Sequence, residues 1–377
     1  METPDGLYGF GLPFLIILTA LVFVHELGHY LVARWNKVRV EVFSVGFGPE
    51  LFGWTDKAGT RWKFSLIPLG GYVKMFGDAN AASMPDGAPV EMTEEERKIA
   101  FHYKRLGQRS WIVAAGPLAN FLFSIVLLAG LFAISGQPYT PAVVGDVLPD
   151  TAAEEAGFLP GDRILEIDGS SIERFEDLQR IVALAANETL DVVVDRDGQL
   201  IDLQATPRLT EREDPLGNTQ EVGQLGISRS GAEYVQHGVF TSIWMATKET
   251  ASLTVGTLDA VWQIISGSRS SDELGGPIRI AQMSGQVAEF GLESVIWFMA
   301  VLSVNLGLIN LFPIPVLDGG HLLFYAIEAI RGKPLGERAQ EYGLRIGLAL
   351  VLSLILFVTW NDLVHIEVVD FVKGLVS

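Results

Sequence analysis

The sequence predicts a mainly α-helical membrane protein with four transmembrane helices. A membrane-associated β-sheet follows the first helix, and a compact α+β domain separates the second from the third. Three observations carry this reading. Only 19% of the 377 residues are charged and the mean hydropathy is +0.32, whereas a soluble chain carries about 25% charged residues. Four stretches are long and apolar enough to cross a bilayer. The Lys and Arg residues beside those stretches fall on alternate loops. A formal net charge of −18 argues against nucleic acid as a partner. The chain has no cysteine, which excludes disulfides, iron–sulfur clusters and thiolate-bound zinc. Any metal must therefore be held by imidazole, carboxylate or carbonyl groups.

The first unit, residues 1–36, contains a span from about Gly9 to Ala33. Within it stands His25-Glu26-Leu27-Gly28-His29. Residues four apart share one helix face, so His25 and His29 can offer imidazole nitrogens to one metal. Glu26 follows the first histidine, where it can take a proton from a water the metal holds. This is the H-E-x-x-H pattern of zinc hydrolases. Two imidazoles and a carboxylate inside an oily span are costly unless they have a compensating role, at about 2.5–3.5 kcal/mol for a charged group at the centre. The alternative is a soluble core helix whose buried histidines are hydrogen-bonded.

Residues 37–110 read as a loop with strands. Val38, Val40 and Val42 alternate with Arg39 and Glu41, and Trp62, Phe64 and Leu66 with Arg61, Lys63 and Ser65. Gly46, Gly48, Gly53 and Gly59 divide these runs into hairpin-sized pieces, and Gly70-Gly71-Tyr72 ends the last. A strand edge over Lys63–Tyr72 can capture an extended segment by strand addition. Asp78–Pro89 reads as a loose loop, and Thr93 with Glu96 as a capping box opening a short helix.

The second span occupies 111–135. Residues 141–230 then form a soluble domain. A strand at Ala142–Val144 and a helix at Ala152–Ala156 lead through the turn Gly157–Asp162 to a strand at Arg163–Ile167. A helix at Phe175–Leu184 follows, and then two strands around Arg196-Asp197-Gly198, a hairpin signal. Residues 231–292 read as amphipathic helices on the outer membrane surface. The remaining unit, 293–377, holds the third span from about Val295 to Phe312 and the fourth from about Leu344 to Trp360. Basic residues cluster at 34–39, 104–109 and 331–345, and none occurs between Trp111 and Arg163. The positive-inside rule places those clusters in the cytoplasm and the 135–292 segment outside.

A two-histidine site needs a third protein ligand. Asp318, in Asn310-Leu311-Phe312-Pro313-Ile314-Pro315-Val316-Leu317-Asp318-Gly319-Gly320, is the candidate, because two prolines break the helix and turn the chain there. The alternative for Asp318 is an N-cap of the helix at Leu322–Ile330.

Two resemblances follow from these motifs. The run A-G-F-L-P-G-D-x-I-L-E-I-D-G resembles a PDZ domain of the permuted bacterial kind, with Gly223, Leu225, Gly226 and Ile227 as its carboxylate-binding loop. A ligand-free spacer of the same fold is the alternative. H-E-L-G-H, G-P-L-A-N-F at Gly116–Phe121 and the Asn310–Gly320 run together resemble the site-two protease family of intramembrane zinc metalloproteases. That resemblance implies Zn2+ held by His25, His29 and Asp318, with Glu26 as general base. It also implies Asn310 holding the substrate backbone, beside a membrane-associated sheet in which Gly70, Gly71 and Tyr72 contact substrate. The implied substrates are single-span membrane proteins, such as an anti-sigma factor, already cut once by another protease. The implied place is the bacterial inner membrane, with the PDZ-like domain on the periplasmic side and the lipid bilayer as partner. One departure is plain: well-known members carry two PDZ domains, and this chain has room for one. A metal transporter and a non-catalytic PDZ scaffold remain the other classes.

Overall fold

The computed structural model describes residues 6–78, 92–213, 219–231, 233–266 and 275–365. Apart from Asp78, the loop expected at 78–89 lies outside them. The chain divides into two compact units, residues 1–131 with 239–377 and residues 132–238.

In the first unit, helix α1 (Gly6–Trp35) carries the histidine motif. Strands β1 (Val40–Thr55) and β2 (Arg61–Met75) follow. They are longer than the pieces expected, because the glycines bend each strand rather than end it. Gly46 and Gly48 take φ of 89° and 88°, which a β-carbon disfavours. Bending doubles the pair over on itself. Val42–Val45 pairs on one side with Gly71–Lys74 and on the other with Arg61–Phe64, and Phe52–Thr55 closes back on Arg61–Phe64. Arg61–Phe64 is thus paired on both sides, which corrects the edge expected over Lys63–Tyr72 at its start, whereas Gly71–Met75 pairs with β1 on one side only. Asp56 organises the tip, accepting from the Trp62 indole at 3.0 Å and from the Ala58 and Thr60 N–H groups at 2.8 and 2.9 Å. Helix α2 (Glu94–Ile99) starts with the predicted capping box: the Thr93 N–H donates to Glu96 at 2.8 Å and the Glu96 N–H donates to Thr93 at 3.3 Å. Helix α3 (Leu106–Ile134) begins a turn before its apolar stretch.

The second unit contains β3 (Gln137–Tyr139), β4 (Val144–Val147), α4 (Ala152–Ala156), β5 (Arg163–Ile167), β6 (Ser170–Ser171), α5 (Phe175–Leu184), β7 (Leu190–Arg196), β8 (Gln199–Ala205), β9 (Arg208–Glu213), β10 (Thr219–Gln224), β11 (Ile227–Arg229) and β12 (Glu233–Val235). The main sheet runs β6-β5-β7-β8, and the pairs β9–β10, β4–β11 and β3–β12 complete the unit. Alternation along β7 buries Val192 and Val194, and a register shift between Ile164 and Glu166 lets β5 bury both Ile164 and Ile167, against Phe158, Phe175 and Leu178. Asp197 and Gly198 at φ 52° and 85° make the predicted two-residue turn between β7 and β8. Asp162, side chain fully buried, holds this core to the hairpin through Arg196 at 2.7 and 2.8 Å. The β9–β10 hairpin carries no alternating apolar signal and was not expected.

The first unit resumes with α6 (Val239–Ser266), α7 (Pro277–Glu289), α8 (Leu292–Leu311), α9 (Asp318–Arg331) and α10 (Glu337–His365). By length and composition, four helices among the described residues can cross a membrane: α1, α3, α8 and α10. These are the four predicted. Helix α6 is not among them, yet it lies along the bundle. Its Ser242, Ala246 and Thr250 are buried. Thr257 donates to Asn305 of α8 at 3.0 Å, and the Thr250 and Ser124 hydroxyls stand 3.4 Å apart. Asp362 of α10 caps α7, accepting from the N–H groups of Gly276, Ile278 and Arg279. Arg109 of α3 pairs with Glu328 of α9 at 2.6 Å and lies over the Tyr325 ring, tying the start of α3 to the helix that begins at Asp318.

Candidate metal centre

Three elements meet at one point. Helix α1 presents His25 and His29 one turn apart, both buried. The chain between α8 and α9 turns sharply at Pro313 and Pro315, and Val316 takes φ 98°, a conformation strained for a β-branched residue. Helix α9 then starts with Asp318, and Leu317 occupies the N-cap position. Asp318 therefore does not serve as the N-cap, the alternative considered for it. Its carboxylate instead faces the two imidazoles. His25 Nε2 stands 3.2 Å and His29 Nε2 3.4 Å from Asp318 Oδ2, and the two nitrogens are 3.3 Å apart. These residues form the one candidate metal group among the described residues.

The hydrogen-bond inventory shows what such a cluster needs. The His29 Nδ1–H donates to the Ile112 carbonyl at 2.9 Å, so its Nε2 is an acceptor. Asp318 Oδ2 is buried with no hydrogen-bond partner among the described residues. Acceptors facing each other in a dry site are unfavourable unless a cation stands between them. Donors around a tetrahedral ion at about 2.0–2.1 Å lie about 3.3–3.4 Å apart. The observed separations of 3.2, 3.3 and 3.4 Å match that edge. Two imidazoles and one carboxylate are a donor set suited to a divalent metal with one position left open.

The close approach of α1 and α3 depends on two glycines. A β-carbon on Gly28 would fall on the Ala115 carbonyl and within 2.7 Å of the Ala119 side chain. One on Gly116 would fall on the His29 ring. The G-P-L-A-N-F run thus supplies the gap the imidazole fills. Sequence reasoning noted that motif without assigning it work, and the i, i+4 spacing of Gly116 and Asn120 was the available signal. Asn120, fully buried, places Nδ2 3.4 Å from His25 Nδ1.

Glu26 lies beside the strand pair. A β-carbon on Gly71 would come within 3.2 Å of Glu26 Cγ and 3.0 Å of Val22 Cγ1. The unpaired side of Gly71–Met75 therefore runs past this carboxylate. Gly70 takes φ 135° and packs on Phe47, whose ring stacks with Tyr72 at 6.2 Å. The Asn310 amide donates to the Leu306 carbonyl of its own helix at 3.0 Å. His321 faces Phe324 and is not in the metal group.

In the second unit, Gly223 near the end of β10 packs against α5, where a β-carbon would fall on the Val182 carbonyl. Leu225 is buried, Gly226 takes φ 87°, and Ile227 opens β11. Between this loop and α5 lies a cavity of about 430 Å³, lined by Leu178, Val182, Val222, Gly223, Leu225 and Ile227, among others.

The chain is similar to several known proteins. The family model described as peptidase family M50 matches residues 13–354. A protein of Rhizobium meliloti named as a zinc metalloprotease is 52% identical over 355 residues, covering 93% of this chain and 95% of that protein. One of the same description from Agrobacterium fabrum is 47% identical, covering 96% and 98%. Metalloprotease MmpA of Caulobacter vibrioides is 40% identical, covering 96% and 97%. Among solved structures, the PDZ domain of an SdrC-like protein from Listeria monocytogenes matches 24% of this chain and 88% of that domain, at 21% identity and a TM-score of 0.19.

Proposed function

The chain belongs to peptidase family M50, and from that premise we propose that it is an intramembrane zinc metalloprotease cutting peptide bonds within the transmembrane segments of single-span membrane proteins. The observation that carries the proposal is the convergence of His25 Nε2, His29 Nε2 and Asp318 Oδ2, with a buried carboxylate oxygen that has no partner, between helices apolar enough to span a bilayer. Zinc bound there supplies Lewis acidity toward a peptide carbonyl and makes water a stronger acid.

The remaining work falls to the chain. Glu26, one residue from a ligand and half-buried beside the strand pair, takes the proton from the attacking water and returns it to the leaving amine. A helical substrate hides its carbonyls in its own hydrogen bonds and must unwind first. The unpaired side of Gly71–Met75 offers backbone groups to the unwound segment, with Gly70, Gly71 and Tyr72 lining its approach to Glu26. Asn310 is proposed to hold the substrate backbone from the other side, exchanging its bond to Leu306 for one to substrate.

The basic clusters orient the chain with the histidine end of α1 toward the cytoplasm of a bacterial inner membrane and residues 132–238 in the periplasm. The products then include a cytoplasmic fragment, as suits a protease acting on an anti-sigma factor or a similar signalling protein. The apolar groove beside Gly223–Ile227 suits the new C-terminus left by an earlier cut. The test is Glu26→Gln. The amide cannot accept water's proton, so the variant should keep zinc and bind a model transmembrane substrate yet lose cleavage. Cleavage at the wild-type rate would refute the assigned base.

A further inference from the structure

The metal reading leaves one buried group unexplained. Asn120 has no exposed surface and sits well inside α3, among residues apolar enough to span a membrane. Among the described residues its side chain meets a single polar side chain, the Nδ1 edge of His25, at 3.4 Å, and its Oδ1 has no partner. A buried amide with so little compensation is destabilising where a leucine of similar size would not be. Its presence therefore calls for a task involving His25.

The neighbouring histidine shows what that task is. His29 is held through its back nitrogen by the Ile112 carbonyl of α3, which fixes the proton on Nδ1 and leaves Nε2 as the ligand atom. Asn120 lies eight residues further along the same helix, about two turns on the same face. It meets the back nitrogen of the other histidine in the same way. The two ends of a carboxamide have the same shape, so which end faces Nδ1 follows from the proton inventory. If Nδ2 faced His25, Nδ1 would be the acceptor and the proton would sit on Nε2, the atom aimed at Asp318. That arrangement blocks a metal. With Oδ1 facing His25, Nδ1–H donates to the amide and the Nε2 lone pair is free.

We propose that Asn120 is a positioning residue for the metal centre. Its Oδ1 accepts from His25 Nδ1–H, so α3 holds both ligand imidazoles, one through a backbone carbonyl and one through a side chain. Ser303 supports this placement by donating to the Asn120 carbonyl at 2.8 Å. The inference rests on the metal reading above and adds to it a residue outside the ligand set.

The experiment measures zinc affinity by chelator competition for wild type, Asn120→Leu and Asn120→Asp in detergent. Removing the partner of a ligand histidine should weaken zinc by about 10–100-fold in Asn120→Leu. Asn120→Asp should stay within about threefold of wild type, because a carboxylate is acceptor-only and reproduces the Oδ1 contact. Wild-type affinity in Asn120→Leu would overturn the role. Equal losses in both variants would overturn the orientation. Failure of the wild type itself to bind zinc would instead refute the metal reading. A second measurement needs no variant. In 15N-histidine spectra of zinc-loaded wild type, both bound imidazoles should be protonated at Nδ1, and an Nε2–H signal from either would refute the proposal.

Discussion

Replacing Gly116 by alanine tests the site through its packing, without replacing a ligand. The added carbon would stand 2.5 Å from His29 Cε1 and 2.9 Å from Cδ2, and closer still to Nε2. Ordinary carbon contacts need about 3.5 Å, so the ring must retreat by about 1 Å. The helix backbone on either side cannot yield easily, because Gly28 already packs on Ala115 and Ala119. Metal–ligand distances tolerate only about 0.2 Å. A displacement of that size takes His29 out of a cluster whose edges are 3.2–3.4 Å. Overpacking of this kind costs about 1–3 kcal/mol. Without metal the ring can turn away, so most of that cost falls on the zinc-bound state. Zinc affinity should therefore drop by about 5–150-fold, at 1.4 kcal/mol per factor of ten, while the metal-free protein melts close to wild type. Gly130→Ala on the same helix is the control, since its added carbon meets nothing within 4 Å. It should leave zinc affinity unchanged. Zinc bound by Gly116→Ala as tightly as by wild type would refute the packing argument and the ring position it rests on.

Two other predictions concern charge. Asp318→Asn keeps the side-chain shape but removes the anion facing two imidazoles. It should lower zinc affinity by more than the about 100-fold that is the upper range for an outer partner, as read by the same chelator competition. In the second unit, Arg196 and the Leu159 N–H hold the Asp162 carboxyl below the usual aspartate range, outweighing the burial that pushes it up. A depressed carboxyl contributes its full stability above the unfolded value of about 3.9 and loses it as pH falls through the folded value. Hydrogen exchange of residues 163–205 in the full chain should therefore be protected above about pH 4 and accelerate below it. Arg196→Met should weaken protection at neutral pH and flatten the acid response.

The spans, the histidine pair and the α/β unit were legible because each depends on a short-range pattern. Apolar length gave α1, α3, α8 and α10; helical spacing put His25 and His29 on one face; Asp-Gly marked the β7–β8 turn. Asp318 was legible as a candidate only, because the prolines announce a turn but not its direction. The φ of Val316 and the tertiary fold decide that its carboxylate faces α1 instead of capping α9. The doubling of β1 and β2 was hidden for a different reason. A glycine at a positive φ can end a strand or bend it, and only long-range pairing selects between these. The same limit applies to α6, which reads as an amphipathic surface helix until Thr257 finds Asn305. The hardest part to read was the work of α3. The i, i+4 spacing of Gly116 and Asn120 puts them on one face of an apolar helix but does not say what that face meets. Their meaning comes from α1 lying close enough for His29 to fill the space at Gly116 and for His25 to meet the amide. Ligands declare themselves by residue type. The groups that aim them are chosen by position and emerge only once two helices are packed together.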